Sequence, residues 1–296
     1  MEAGFPMQIK EIKSQSILTR AGGYLSKVAT HSLNPYAGCG FGRSSCGTYC
    51  YVQFNPWIVK DRTWGKFVDV KINADRIYNQ TVKSERNWAH KQNKLFSVFL
   101  SSSTDPWQPV ERKYRITRNI LNAMLKEPPD SLILQTHTDR IIDDMSLIRD
   151  LDSLCKMRVH ISVEGDRERL PGMPPPPCSL DKRLEALALF SKIGLTAIAC
   201  LSPLYPLKEP EMFFQRLADD GVSAVIIDHF ISGDGSNDGK RTFKTILPNA
   251  MAVLDEESIQ LSYRDKIAGI AGKYLRVGLS SEGFAGNFSK RPMGNL

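Results

Sequence analysis

Three of the six cysteines in this 296-residue chain fall close together, in Cys39-Gly-Phe-Gly-Arg-Ser-Ser-Cys46-Gly-Thr-Tyr-Cys50. Thiolates are soft ligands, so such a group points to zinc or to an iron–sulfur centre. The interleaved glycines let the backbone fold around a compact centre. Structural zinc sites pair thiols two to four residues apart and add a second pair, or histidines, at similar spacing. No second pair exists here, because Cys155, Cys178 and Cys200 are dispersed. Three thiols without a fourth suggest a centre with one metal position left open for a substrate or cofactor.

Elements that would position this loop follow from the apolar pattern. Five β-branched or apolar runs, Ser97–Leu100, Ser131–Thr136, Met157–Val163, Leu195–Leu201 and Val222–Ile227, read as strands, and an earlier strand is expected near Lys27–Leu33. Between them lie segments with helical period: Arg112–Lys126, Met145–Leu154, Asp181–Ile193 with Asp181 at its start and Gly194 after its end, and a segment from Pro210 to a terminating Gly221. Strands alternating with helices imply a parallel sheet with right-handed crossovers. The predicted fold class is α/β, a partial (β/α)6 barrel of parallel strands with a small C-terminal helical extension that includes Tyr263–Leu275. A flat doubly wound sheet is the alternative. The expected organisation is an N-terminal extension over 1–26, a core over 27–232, and a C-terminal loop and helical extension over 233–296. The Gly, Ser, Asn and Asp cluster of Ser232–Lys240 is read as a linker or mobile loop, and Pro174–Pro177 as a stiff extended segment.

In a parallel βα array the loops leaving the carboxyl ends of the strands converge on one mouth. Those loops carry the cysteines, then Ser101–Asp105, Thr136 and His137, Ser162 and Glu164, Ser202 and Pro203, and Asp228 and His229. Strand ends turn polar at the surface anyway, so only the thiols distinguish this mouth from an ordinary one.

Composition sets the outer limits. The chain is 42% hydrophobic and 24% charged, and no window offers the roughly 18 continuous apolar residues of a membrane-spanning helix. Lys and Arg outnumber Asp and Glu by 39 to 32, a net charge of +7 that permits attraction to phosphates without requiring it. The mixed charges of Met1–Lys13 lack the apolar core of a secretory signal, so the expected location is cytoplasmic, with reduced thiols.

The sequence resembles the radical S-adenosylmethionine (SAM) enzymes, and within them the spore photoproduct lyase-like, "DNA repair photolyase" branch. The resemblance rests on Asn34-Pro35-Tyr36-Ala37-Gly38-Cys39 opening the cysteine loop and Tyr49-Cys50-Tyr51 closing it. It continues in Thr104-Asp105-Pro106-Trp107-Gln108-Pro109-Val110-Glu111, Thr117-Arg118 and Lys182-Arg183-Leu184-Glu185-Ala186. It implies a 4Fe-4S cluster on Cys39, Cys46 and Cys50, with SAM on the open iron. Reductive cleavage of SAM would give a 5′-deoxyadenosyl radical that abstracts hydrogen from a substrate, a nucleic-acid lesion being one candidate. The resemblance further implies that Tyr49 packs near the adenine, that Thr104 and Asp105 line the methionine end, and that Ser162 and Glu164 face the ribose or amino group. A one-electron reductant such as a flavodoxin or ferredoxin is the implied partner. Two departures stand out. The family spaces its ligands C-x3-C-x2-C, whereas six and three residues separate them here, and its Thr-Lys-Ser segment is Thr136-His137-Thr138, which puts His137 at the cofactor's carboxylate. The competing class is a noncatalytic zinc, structural-cluster or nucleic-acid-binding module.

Single residues also have plain structural readings. Asp105 precedes Pro106 and suits a turn, Glu111 and Arg118 suit a helix-face salt-bridge network, His137 and His229 suit hydrogen-bonded structural histidines, and Cys178 suits an incidental loop thiol. Tyr51, Phe54, Trp57, Trp64 and Trp88, interleaved with lysines and arginines, form a stretch that could stack bases, or simply supply core aromatics among solvated cations.

Overall fold

Short apolar runs with no alternation are the mark of strands covered on both faces, and the computed structural model builds its sheets from them. Ser131–Thr136 buries Leu132, Ile133 and Leu134 in succession, and all five residues of Ala197–Leu201 are buried. Residues 7–289 are described; the remainder of the expected extensions, 1–6 and 290–296, lies outside the described residues. The chain divides into two compact units. One comprises the described residues up to Thr136 together with Arg140–Met157, the other His137–Asp139 and the residues from Arg158 onward.

The first unit holds β1 (Gln8–Ile12), β2 (Leu18–Arg20), β3 (His31–Leu33), β4 (Tyr36–Ala37), β5 (Phe67–Lys71), β6 (Ser97–Leu100) and β7 (Ser131–Thr136). β3, β6 and β7 run parallel, in register His31↔Val98 and Ser97↔Ser131, and β2 closes that sheet antiparallel to β3. A separate three-stranded sheet, in the order β1-β5-β4, was not anticipated; it draws β1 of the expected N-terminal extension into parallel pairing with β5. The helices Ala74–Lys91, Ile116–Lys126 and Met145–Asp152 pack in sequence order. Ile116, Ile120, Leu121, Ala123 and Met124 line the buried stripe of the second of these.

The single helix expected over Arg112–Lys126 is two, Glu111–Tyr114 and Ile116–Lys126, because Arg115 adopts a left-handed conformation (φ 52°). The Glu111 carboxylate accepts from the backbone N–H groups of Thr117 (3.0 Å) and Arg118 (3.1 Å), which satisfies free donors at the start of the second helix. Of the expected salt-bridge network, Glu111 serves backbone amides, and the ion pair is carried by Arg118. Arg118 Nε donates to Asp144 (2.7 Å).

In the second unit β8 (Lys156–Ser162, of which the residues from Arg158 belong here), β9 (Ala197–Leu201), β10 (Ala224–Ile227) and β11 (Val277–Leu279) are parallel throughout, in the order β11-β10-β9-β8. The connections are the helices Leu180–Lys192, Pro210–Asp219 and Leu261–Ala271. Gly194 (φ 85°) and Gly221 (φ 74°) end the first two in the left-handed conformation, as expected. Asp181 lies inside the first turn of its helix and not at its cap; Ser179 takes that position, and the Leu180 N–H is met by Glu168 (2.7 Å). The C-terminal extension is more than helical, since β11 joins the sheet beside β10. Parallel strands with crossover helices give the α/β class. Among the described residues no helix is long and apolar enough to cross a membrane.

Candidate functional site

The cysteine loop leaves β4 and is compressed by glycines. Gly38 sits at φ 80°, and a Cβ there would stand 2.4 Å from the Phe67 carbonyl oxygen. A Cβ on Gly47 would meet the Gly42 carbonyl carbon at 2.3 Å, so two passes of backbone touch with no space for a side chain. Gly47 belongs to the short helix Ser45–Tyr49, which also holds Cys46 and which Cys50 directly follows. That i, i+4 spacing places the two residues on one side of the turn. Trp64 secures this turn by donating its ring N–H to the Gly47 carbonyl (3.1 Å).

The loop after β6 clasps the cysteines from the other side. Thr104 Oγ1 donates to the Gly38 carbonyl (2.8 Å). Gln108, fully buried, donates to Thr104 Oγ1 (2.9 Å) and accepts from the Gly40 N–H (2.6 Å). Asp105, also buried, receives the Trp107 N–H (2.9 Å) and the Thr136 hydroxyl (3.0 Å to each oxygen). The Trp107 indole in turn donates to Asp144 (2.8 Å). The turn reading of Asp105 thus holds, and the residue also ties its loop to the end of β7.

Burial raises the Cys39 thiol to about 11, with the neighbouring Asp105 carboxylate adding to the rise and the Phe41 and Asp105 backbone amides opposing it. Burial likewise pushes Cys50 up to about 12; the Val52 backbone amide opposes the rise and the charge of Cys39 adds to it. Cys46 Sγ lies 3.2 Å from the Ser44 hydroxyl. Among the described residues no three His, Cys, Asp or Glu side chains already stand together at metal-holding distance. The donor set nevertheless fits a thiophilic metal centre. A nucleophilic cysteine needs a cation or helix N-terminus to lower its pKa, and these two thiols have the opposite surroundings, in which a bound metal would supply the missing positive charge.

The second unit holds the other predicted residues. Glu164, at φ 58°, accepts from Arg183 Nη1 (2.6 Å), and both side chains are almost wholly buried, at 6% and 2% exposure. The same Arg183 atom donates to the Ser162 carbonyl (2.7 Å), and His137 Nε2 lies 3.4 Å from Glu164 Oε1. Cys178 donates to Asp139 (3.3 Å), and the Asp139 carboxylate also receives the Thr138 hydroxyl (3.2 Å). His229 is structural: its ring meets the Ser258 carbonyl and the Ile231 N–H. Of the nine predicted site residues, Cys39, Cys46, Cys50, Tyr49, Thr104 and Asp105 belong to the first unit and His137, Ser162 and Glu164 to the second.

Two residues without a predicted role matter most to this geometry. Gln108 lies inside the quoted Thr104–Glu111 segment, whose side-chain sequence gave no reason to single it out. Arg183 lies in the quoted Lys182–Ala186 segment of a helix with an apolar face, where a charged side chain gives no sign of being buried. The aromatic, basic stretch does not act as one surface: Trp64 serves the cysteine loop, Trp88 lies beneath Arg20 and against His31, and Trp57 stands 87% exposed.

No family model matches the chain. It is 28% identical over 179 residues, 60% of its length, to an uncharacterized protein of Methanocaldococcus jannaschii, and spans about three-fifths (61%) of that relative. Among solved structures it is similar to a spore photoproduct lyase variant with bound AdoMet and dinucleoside spore photoproduct, at 15% identity and a TM-score of 0.53, covering 74% of this chain and 60% of that one. A second spore photoproduct lyase variant gives 16% identity and a TM-score of 0.52, with 74% and 61% covered. The chain spans about three-fifths of the length of these lyases as well. Over 74% of its length the chain shares its fold with these spore photoproduct lyase structures.

Proposed function

We propose that the chain is a radical SAM enzyme in which Cys39, Cys46 and Cys50 hold a 4Fe-4S cluster and SAM occupies the remaining iron. The observation that supports this most strongly is the glycine-compressed loop that carries all three thiols, with Cys39 and Cys50 desolvated and Cys46 one helical turn before Cys50. When bound, the cluster and SAM would supply a 5′-deoxyadenosyl radical for hydrogen abstraction.

The chain's own residues would position that chemistry. Thr104 and Gln108 fix the backbone at Gly38 and Gly40 on either side of Cys39, so the first ligand is set before any metal arrives. Asp105, anchored by Thr136 and by the Trp107 N–H, would offer its carboxylate at the methionine end. Tyr49, buried beside Cys50, would pack near the adenine. In the second unit the Arg183 guanidinium holds Glu164 in its left-handed backbone position, and Glu164 and Ser162 would face the ribose or amino group. His137, in the place of the family's lysine, would meet the carboxylate of SAM. A small one-electron carrier of flavodoxin or ferredoxin type is the proposed reductant, in a cytoplasmic setting, and a nucleic-acid lesion is one candidate substrate. The similar lyase structure holds AdoMet and a dinucleoside lesion, which motivates that choice.

The test is anaerobic reconstitution with iron and sulfide, followed by incubation with SAM and dithionite. Brown protein that forms 5′-deoxyadenosine only with reductant supports the reading. Colourless protein with stoichiometric zinc supports a noncatalytic metal module instead.

A further inference from the structure

The short helix Glu111–Tyr114 and Arg115 after it form one turn that reads Glu-Arg-Lys-Tyr-Arg. Backbone bonds close it: the Lys113 and Tyr114 N–H groups donate to the Val110 carbonyl (3.1 and 3.0 Å), and the Arg115 N–H donates to that of Glu111 (2.9 Å). Its one acid, Glu111, is buried and spent on the Thr117 and Arg118 amides, and Asp144 is taken by Trp107 and Arg118. Arg112, Lys113 and Arg115 are all exposed, and among the described residues none of them has a side-chain hydrogen bond or an ion pair. Like charges this close repel one another, so folding alone gives no reason for the arrangement. Arg115 adds to the cost, since it stands at φ 52°, where glycine would fit without strain. The turn borders the cysteine loop. A Cβ on Gly40 would stand 3.1 Å from the Pro109 ring, and the adjoining Gln108 takes the Gly40 N–H (2.6 Å). Gly40 directly follows Cys39, and Pro109 shortly precedes Arg112.

We infer that this turn is the docking face for an acidic one-electron carrier protein, which it holds beside the cysteine loop. The inference rests on the proposed radical reading, because a centre on Cys39, Cys46 and Cys50 needs electrons one at a time from outside the chain; the carrier loses one and the centre gains it. Unpaired surface cations steer an acidic partner and fix its orientation, and the chain's net charge of +7 acts in the same sense at longer range. Brief encounters between redox partners bury little area, so the charges of a single turn are a large share of such a contact. A nucleic-acid strand is favoured less. Its binders add aromatic faces on which bases stack, whereas Tyr114 is half-buried with Lys113 Nζ 5.0 Å from its ring centre.

Calorimetry of the full chain with a flavodoxin and with a plant-type 2Fe-2S ferredoxin, both acidic, tests this at low and high salt. At least one carrier should bind one to one, and more weakly at high salt. Arg115→Gly relieves the left-handed strain as it removes the charge, so it should keep or raise Tm and weaken the carrier by about threefold. Arg112→Ser, Lys113→Ser and Arg115→Gly together should weaken it by more than about tenfold. In the reconstituted protein, 5′-deoxyadenosine formation driven by subsaturating carrier should fall in step, while formation driven by dithionite, which needs no docking, should match wild type. No binding of either carrier, binding indifferent to salt, or wild-type affinity in the triple variant would overturn the inference. So would a single-stranded oligodeoxycytidylate that binds more tightly than both carriers and loses that affinity in the triple variant. Absence of SAM cleavage with dithionite in the wild type would instead contradict the radical reading, and the binding measurements would still decide the docking face.

Discussion

Gly47→Ala sets two known effects against each other. In an exposed helix the change from glycine to alanine stabilises by about 1 kcal/mol, because alanine restricts the unfolded chain. At Gly47 the new methyl would lie 2.3 Å from the Gly42 carbonyl carbon and 2.4 Å from its Cα and oxygen, where ordinary contacts begin at 3.4 Å. The two backbone passes must therefore separate by about 1 Å, and because the opposing atoms are backbone no rotamer change can relieve them. Overpacking of this kind costs about 1–3 kcal/mol, which exceeds the helix gain, so the expected sign is destabilising. The shift falls between Cys46 and Cys50, so the variant should also lose most of its iron after reconstitution. Gly269→Ala is the control: it sits in the helix Leu261–Ala271 with nothing within 4 Å of the new atom, and should gain up to about 1 kcal/mol with iron loading unchanged. Scanning calorimetry and iron analysis read both variants; each kcal/mol moves Tm by about 2–4 °C in chains approaching this size. A Gly47→Ala protein with wild-type Tm and iron content would refute the claim that glycine contact shapes the loop.

Other consequences are measurable. Arg183→Met should cost about 3–5 kcal/mol in denaturant unfolding, because it strands the buried Glu164 carboxylate, and adding Glu164→Gln should recover part of that loss. Metal-free Cys39 and Cys50, raised from 9.0 to about 11 and about 12, should have thiolate fractions about 100-fold and 1000-fold below an ordinary thiol at pH 8, and alkylation followed by mass spectrometry should find both protected. Burial lowers Lys71 from 10.5 to about 8, so the unfolded chain binds more protons between those values. This lysine's contribution to stability should therefore rise with pH from about 8 to 10.5, and Lys71→Met should stabilise the protein most below pH 8; an unfolding series in which the variant's advantage grows with pH would contradict this. Trp57→Ala, at an 87% exposed position, should change stability by less than about 0.5 kcal/mol.

How much of this was legible depended on whether a segment's environment leaves a trace in its own residues. β6 and β7 were readable to the residue, since continuous apolar runs bounded by polar ones leave few alternatives. β1 was not: Gln-Ile-Lys-Glu-Ile is exposed over four of its five positions, so its membership in a sheet comes from pairing with β5 and not from burial. β11 has three residues, too few for any period. The break at Arg115 carries no glycine or proline to announce it and depends on Glu111 capping the following helix. Within the site, cysteine spacing was informative because thiol chemistry is rare and directional. The Glu164–Arg183 pair joins residues 19 apart, one after a strand and one on a helix, and Gln108 gains its role only once folding brings Gly40 to it. Tertiary partners of this kind cannot be inferred from local pattern.

The most direct test of the central claim is the iron and sulfide content of Cys46→Ala beside Cys178→Ala after identical anaerobic reconstitution. If the cluster rests on Cys39, Cys46 and Cys50, the first variant should lose its iron–sulfur absorption and its SAM cleavage while the second retains its iron. Full iron and sulfide in Cys46→Ala would contradict the account.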